Sequence, residues 1–251
     1  MKIALLVEYD GSAFNGWQVQ PDGRTVQGAL QDTLARLSGN ETIVIGAGRT
    51  DAGVHAVGMV AHADVNVSAE MPSWKLLEAL NALTDEDIVV RDARVVSEDF
   101  HARYSAVERS YEYRIARRRI AVGRNYAWQV WQQLDESAMQ AAVAMLVGEH
   151  DFTSFSKLSD DVNHYRCTVT QAALVNSGDM LTIALSANRF VRGMVRALVG
   201  ATVEIGKGKL SIEAFRRLID EPQELHRAKF ICPAHGLTFM RVSYPDSFGL
   251  W

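Results

Sequence analysis

Arg49 and Asp51 stand two positions apart in the stretch GAGRTDAGVHA, residues 46–56, among small residues, a threonine, a valine and a histidine. In extended backbone, residues i and i+2 project to one side, so the guanidinium and the carboxylate can face one cleft. A neighbouring guanidinium favours the ionised carboxylate, and an anion at neutral pH suits a nucleophile or an electrostatic stabiliser. Gly46, Gly48 and Gly53 permit backbone angles and close approaches that larger residues forbid, leaving room for a flat or bulky substrate. The plainer reading is a turn with an exposed ion pair, which contributes little energetically. On the motif alone, that turn is the better reading. His55 has no second histidine or carboxylate at the helix spacing of a metal-binding motif and reads as structural.

Local charge supplies a second signal. From Arg109 to Arg124 there are six arginines and one acid, Glu112, in a chain of formal net charge -4. Tyr111 and Tyr113 lie within that run and Tyr126 just beyond it. Guanidinium groups meet phosphates and aromatic rings stack on exposed bases, so the interleaving suits nucleic acid. In RFVRGMVRALVG, residues 189–200, Arg189, Arg192 and Arg196 fall at helical spacing. Each patch alone reads as a solvated face; together, against an acidic background, they favour RNA.

The elements that must position these residues follow from periodicity. Lys2–Tyr9 reads as a strand ending at the turn dipeptide Asp10-Gly11. Thr25 is placed to cap a helix carrying Val26, Ala29, Leu30, Thr33, Leu34 and Leu37, stopped by Ser38-Gly39-Asn40. Strands are expected over Thr42–Ile45, Val57–Val65 and Asp87–Val96, with a helix opened by Pro72 and Ser73. The order β, α, β, β, α, β is the ferredoxin-like split-βαβ pattern, an antiparallel sheet with two helices on one face. The second half echoes it more loosely. Strands are expected over Arg109–Ala116, Val169–Val175, Leu181–Ala187 and Leu237–Val242. Helices are expected after Asp135, over Phe190–Ile205 and after Ser211. The boundary falls near His101–Ser105, giving 1–102, which carries Asp51, and 103–251.

Bulk properties bound the rest. With 251 residues, 48% of them hydrophobic, the chain can bury a substantial core as one large domain or two modules. Cys167 and Cys232 have no CxxC or Cys/His spacing, which argues against a disulfide framework or a zinc site and fits a reducing cytoplasm. No apolar run is long enough to span a membrane, and the start MKIALLVEYD lacks a signal-peptide pattern. A soluble, cytoplasmic protein is expected.

The motifs EYDGSAFNGWQVQ (8–20), RTVQGAL (24–30), GRTDAGVHA (48–56), DFHARYSA (99–106), RSYEY (109–113), GEHDFTSF (148–155), MVRALVG (194–200) and PAHGLTFMRVSYP (233–245) resemble, in order and spacing, those of the TruA family of tRNA pseudouridine synthases. The resemblance covers essentially the whole chain. It implies an α+β fold of two ferredoxin-like, RRM-like halves whose antiparallel sheets join across a central RNA-binding cleft. It implies an isomerase that needs no cofactor or metal and acts on uridines at tRNA positions 38 to 40, in the anticodon stem-loop. It also implies a homodimer in which one tRNA touches both subunits.

By that resemblance Asp51 is the catalytic residue, acting covalently or as the base that starts glycal formation. Arg49 helps flip and replace the target base. Tyr111 stacks near the target uracil and is implicated in removing the C5 proton. Arg196 is the ion-pair partner of Asp51, and Leu198 or Val199 lends apolar packing to the pocket. Arg114, Arg117, Arg118 and Arg192 are expected to contact RNA. The chain departs from the family where FxHxMVRN is common, gaining Arg192 and losing a histidine and an asparagine. Lys157–Thr168 is also particular to this chain, with Asp160 and Asp161 adding negative charge. These departures bear on tRNA contact, not on the catalytic core. A non-catalytic RNA-binding module or tRNA chaperone on the same fold is the alternative from another class. A carboxylate hydrolase would want a second acid at the site, and the motif has none.

Overall fold

The computed structural model describes residues 1–66, 71–159, 162–222 and 230–251, so Asp160 and Asp161 lie outside the described residues. The chain forms two compact units, 1–107 with 238–251, and 108–237.

In the first unit, β1 (Lys2–Tyr9) pairs antiparallel with both β3 (His55–Asp64) and β4 (Ile88–Val95), and β2 (Ile45–Gly46) pairs antiparallel with β3. The order β4-β1-β3-β2 is that of the split-βαβ fold. Leu5 lies opposite Ala61 on one side and Ala93 on the other. Ile3, Leu5, Val7, Met59 and Ala61 are fully buried. Helix α1 (Val26–Ser38) begins where the Thr25 hydroxyl accepts the Gly28 N–H, and it ends at Gly39, whose φ of 71° is left-handed. That is a side-chain cap at one end and a glycine stop at the other. Helix α2 (Ser73–Leu83) packs on α1 and on β4, burying Leu76 and Leu80.

The expected strand over Thr42–Ile45 shrinks to Ile45–Gly46 for a definite reason. Val44 donates its N–H to Gln31 Oε1 and its C=O accepts from Gln27 Nε2. Side chains of α1 thus take the hydrogen bonds a ladder would have used, and the backbone groups are satisfied without a strand.

The C-terminal residues belong to this unit, whereas element order in the sequence places them with the second half. Thr238 and Phe239 pair in parallel with His55 and Ala56 of β3. Tyr244 Oη donates to the Ala102 carbonyl (2.7 Å), and Ala102 N–H donates to His62 Nδ1 (3.1 Å). Trp251 Nε1 donates to Asp92 Oδ2, and Arg94 donates to the Gly249 carbonyl.

The second unit contains β5 (Glu108–Ala116), β6 (Trp128–Gln129), α3 (Glu136–Ala144), β7 (Gly148–Asp151), β8 (Arg166–Ser177), β9 (Met180–Ala187), α4 (Met194–Gly206) and α5 (Ile212–Asp220). Its sheet runs β5-β9-β8-β7, all antiparallel, with β6 parallel to β5 at the other edge. Asp135 and Ser211 cap α3 and α5 through their side chains. The last strand, β10 (Leu237–Ser243), is the one that carries Thr238 and Phe239.

Helix α4 begins four residues later than its hydrophobic run. Gly193 has φ of 75°, a left-handed conformation that stops helix from extending back to Phe190. The residues that follow, from Met194 to Gly206, are almost entirely buried.

Candidate active site

The segment 46–55 of the first unit is braced by the segment 9–17. Tyr9 closes β1, just past a register shift between Val7 and Tyr9 that turns its side chain toward that segment. Its hydroxyl meets Thr50 Oγ1 at 2.8 Å, with both residues buried. Trp17 N–H donates to the Thr50 carbonyl (3.1 Å), and Ala47 N–H donates to the Val60 carbonyl. Tyr9 packs against Phe14 and Trp17, at ring separations of 6.5 and 6.1 Å. Nearby, Arg24 donates to Asp85 and to both oxygens of Asp87 while covering the Phe14 ring, so the RTVQGAL motif locks the same bracket. Hydrogen bonds to Asp87 hold the Arg24 pKa above its ordinary value.

His55 is structural, as read from the sequence. It is buried, its Nδ1 accepts the Gly11 N–H at 3.0 Å, and the same nitrogen lies 3.0 Å from Asp10 Oδ1. It therefore ties the Asp10-Gly11 turn to the start of β3. Two of the three motif glycines are required by space or angle. A Cβ on Gly46 would lie 2.5 Å from the Trp17 ring, and Gly53 has φ of 78°. Gly48 meets only an ordinary contact at that position, with Phe239.

Arg49 and Asp51 lie on either side of Thr50 in the chain and differ from it in exposure. Thr50 is buried, Arg49 is exposed and Asp51 is half-buried. The turn continues as Val54 N–H donates to the Asp51 carbonyl (3.1 Å). The expected Arg49–Asp51 ion pair is not formed: among the described residues Arg49 stands in no ion pair. Arg49 is exposed.

Tyr111 and Arg196 belong to the second unit. Tyr111 sits on β5 opposite Leu185 of β9, only 9% exposed. The Phe190 ring stands edge-on to it at 5.1 Å and 86°. Arg196 lies in the first turn of α4, half-buried, and its Nε donates to the Cys232 carbonyl at 2.9 Å. Leu198 and Val199 are buried within α4. Tyr113, two residues beyond Tyr111, is fully buried, with its hydroxyl donating to the Pro233 carbonyl at 2.8 Å.

The arginines expected to bind RNA are exposed, but most have an acid nearby. Arg114 lies 4.0 Å from Glu112, Arg117 is 2.9 Å from Glu136, and Arg118 is 2.5 Å from Asp179. Arg192 is exposed and precedes α4, so Arg189, Arg192 and Arg196 do not share a helix face. Among the described residues Arg119 and Arg124 stand in no ion pair, and the sequence reading counts both in the basic run without singling them out as RNA contacts. It also passes over Phe190, which adjoins the arginine of RFVRG, and Cys232, which contributes a main-chain oxygen that no side-chain motif can signal. Among the described residues no three His, Cys, Asp or Glu side chains group as a metal centre would need. Both cysteines are free and buried, and burial pushes their thiols up, to about 11 for Cys167 and about 12 for Cys232. No described helix is long and apolar enough to cross a membrane.

A family model described as tRNA pseudouridine synthase matches residues 5–105 and 142–245. A tRNA pseudouridine synthase A of Geobacter sp. (strain M21) is 39% identical over 246 residues, covering 97% of this chain and 99% of that one. One from Afipia carboxidovorans is 41% identical over 243 residues, covering 96% and 98%. One from Exiguobacterium sp. is 37% identical over 243 residues, covering 97% and 98%. Among solved structures, a chain of a Cbf5-Nop10-Gar1 complex aligns at 11% identity and a TM-score of 0.32 over 80% of this chain and 54% of that one, too slight a likeness to bear on the fold. With a family model spanning both compact units and relatives alike over nearly their whole length, the chain belongs to the TruA family of tRNA pseudouridine synthases.

Proposed function

We propose that the protein converts uridine to pseudouridine at positions 38 to 40 of the tRNA anticodon stem-loop, with Asp51 as its catalytic residue. The observation that carries this reading is the Asp51 turn. Thr50, between Arg49 and Asp51, is buried and bonded to Tyr9, while Asp51 is half-buried and Arg49 exposed. Such a turn holds a half-buried carboxylate on a braced support, which suits a reaction at a nucleotide's C1′.

The reaction is an isomerisation and balances without a cofactor. The N1–C1′ bond of the uridine breaks, the uracil turns while held, a C5–C1′ bond forms, the C5 proton leaves, and N1 regains one. Asp51 either attacks C1′ or removes the ribose proton that starts glycal formation. The target must first leave its stack, at a cost of a few kcal/mol. Arg49, exposed and in no ion pair among the described residues, suits the task of replacing the flipped base. Tyr111, its ring set by Phe190, suits stacking on the uracil and receiving the C5 proton. Arg196 serves as ion-pair partner of Asp51. Arg114, Arg117, Arg118 and Arg192 contribute phosphate contacts, phosphate displacing the acids that now accompany the first three. The working form is a cytoplasmic homodimer; a monomer in sedimentation at working concentration overturns that part.

The test is incubation of the purified protein with unmodified tRNA, followed by chemical mapping of pseudouridine in the anticodon arm. Product at 38, 39 or 40 supports the reading. Tight tRNA binding without product would make the protein an RNA-binding module instead.

A further inference from the structure

Residues 230–236 lie across α4 and β5 and touch Arg196 through main-chain atoms of Cys232. We propose that this segment is a strap that fixes the orientation of the Arg196 guanidinium, and that Gly200 and Tyr113 are the positioning residues that hold the strap. The proposal rests on the reading of Arg196 as a partner of the catalytic carboxylate.

Cys232 engages Arg196 twice. Its carbonyl accepts from Arg196 Nε at 2.9 Å, and its N–H donates to the Arg196 carbonyl at 3.3 Å. Guanidinium donors lie in one plane, so a bond at Nε to a fixed carbonyl sets the direction of the two terminal nitrogens. Those are the ones that meet a carboxylate as a fork. The bond is only as precise as the carbonyl that makes it.

Two features fix that carbonyl. Gly200 lies four residues after Arg196, on the same face of α4. A Cβ there would sit 1.5 Å from the Phe230 carbonyl oxygen and 3.3 Å from the Cys232 nitrogen. The strap therefore rests directly on the helix backbone, and any side chain at 200 would lift it. Further along, Tyr113 Oη donates to the Pro233 carbonyl at 2.8 Å, and the Tyr113 ring occupies the space where a Cβ on Gly236 would be, 2.6 Å away. Burial, followed by the neighbouring Cys232 thiol, holds the Tyr113 hydroxyl well above its ordinary pKa, so it keeps its proton and donates across the working pH range. Cys232 itself is 1% exposed and its thiol is pushed up to about 12 by burial, which leaves it protonated and inert beside that hydroxyl. A fully buried tyrosine whose hydroxyl donates to a strap carbonyl is not placed to contact RNA; its place is under the strap.

The experiment compares wild type with Tyr113→Phe, Gly200→Ala and Arg196→Lys, all full-length, in steady-state turnover on unmodified tRNA and in thermal melts. Tyr113→Phe is expected to lower kcat roughly ten- to a hundredfold, the scale of a misplaced catalytic partner, with KM within about twofold. Gly200→Ala should do the same or more. A change of melting temperature with kcat retained in Tyr113→Phe would make its role structural and overturn the proposal. If Arg196→Lys keeps wild-type kcat, the reading of Arg196 fails; if Arg196→Lys is crippled while Tyr113→Phe is not, the strap alone fails. Nitrogen-15 arginine spectra of the folded wild type supply a readout independent of variant folding. The Arg196 Nε–H, identified by its loss in Arg196→Lys, should exchange slowly with water. Fast exchange in wild type would contradict a strap-held guanidinium.

Discussion

The hydroxyl of Tyr9 and the hydroxyl of Thr50, 41 residues apart in sequence, meet at 2.8 Å in the buried interior of the first unit. This bond joins the end of β1 to the one buried residue of the Arg-Thr-Asp triplet. It explains how a glycine-rich turn keeps a defined shape. The motifs EYDGSAFNGWQVQ and GRTDAGVHA, separate in the chain, are two sides of one bracket.

Removing that bond tests the bracket. Tyr9→Phe leaves the Thr50 hydroxyl buried without this partner and should cost about 1–2 kcal/mol of stability, read from the urea midpoint. If the bracket places Asp51, kcat should fall further than KM rises. A variant with unchanged turnover and lowered stability would reduce Tyr9 to a packing role.

His62 makes stability depend on pH in a stated direction. It is buried on β3, accepts the Ala102 N–H, and lies 4.7 Å from the His101 ring. Desolvation, then the His101 and Lys2 charges, lower its pKa from 6.5 to about 4. The unfolded chain takes up this proton first, so the contribution is complete above about pH 6.5 and declines as pH falls toward 4. His62→Asn, whose amide oxygen can still accept from Ala102, should flatten the loss of melting temperature between pH 6.5 and 4 relative to wild type. Identical pH slopes would contradict the assignment.

Among the described residues, the basic run holds arginines beside acids, Arg114, Arg117 and Arg118, and two in no ion pair, Arg119 and Arg124. Arg119→Ala with Arg124→Ala should weaken tRNA binding and reduce the slope of log affinity against log salt by roughly 0.7–0.9 for each phosphate no longer neutralised. Arg117→Ala should do so less, because its charge is already matched by Glu136. Filter binding across a salt series distinguishes them; equal slopes in all variants would mark the run as a solvated face.

Much of this arrangement is legible in the sequence, and the exceptions share a cause. Helix α1 is readable because its signals are local: Thr25 caps it and Gly39 ends it. The strand at 42–45 is overestimated because Gln27 and Gln31, from an earlier helix, take the hydrogen bonds of Val44. The start of α4 is set four residues early because apolar periodicity does not register a left-handed Gly193. The return of 238–251 to the first unit depends on pairing between Phe239 and Ala56, far apart in the chain. The Cys232 carbonyl that holds Arg196 is a group common to every residue type and leaves no trace in a motif.

The central claim is that Asp51 performs the chemistry, and its most direct test is one comparison. Wild type and Asp51→Asn, a near-isosteric change that removes the charge, are incubated with unmodified tRNA, and pseudouridine at positions 38 to 40 is mapped over time. The account predicts rapid product from wild type and none above background from Asp51→Asn, with tRNA binding retained. Full turnover by Asp51→Asn would contradict it.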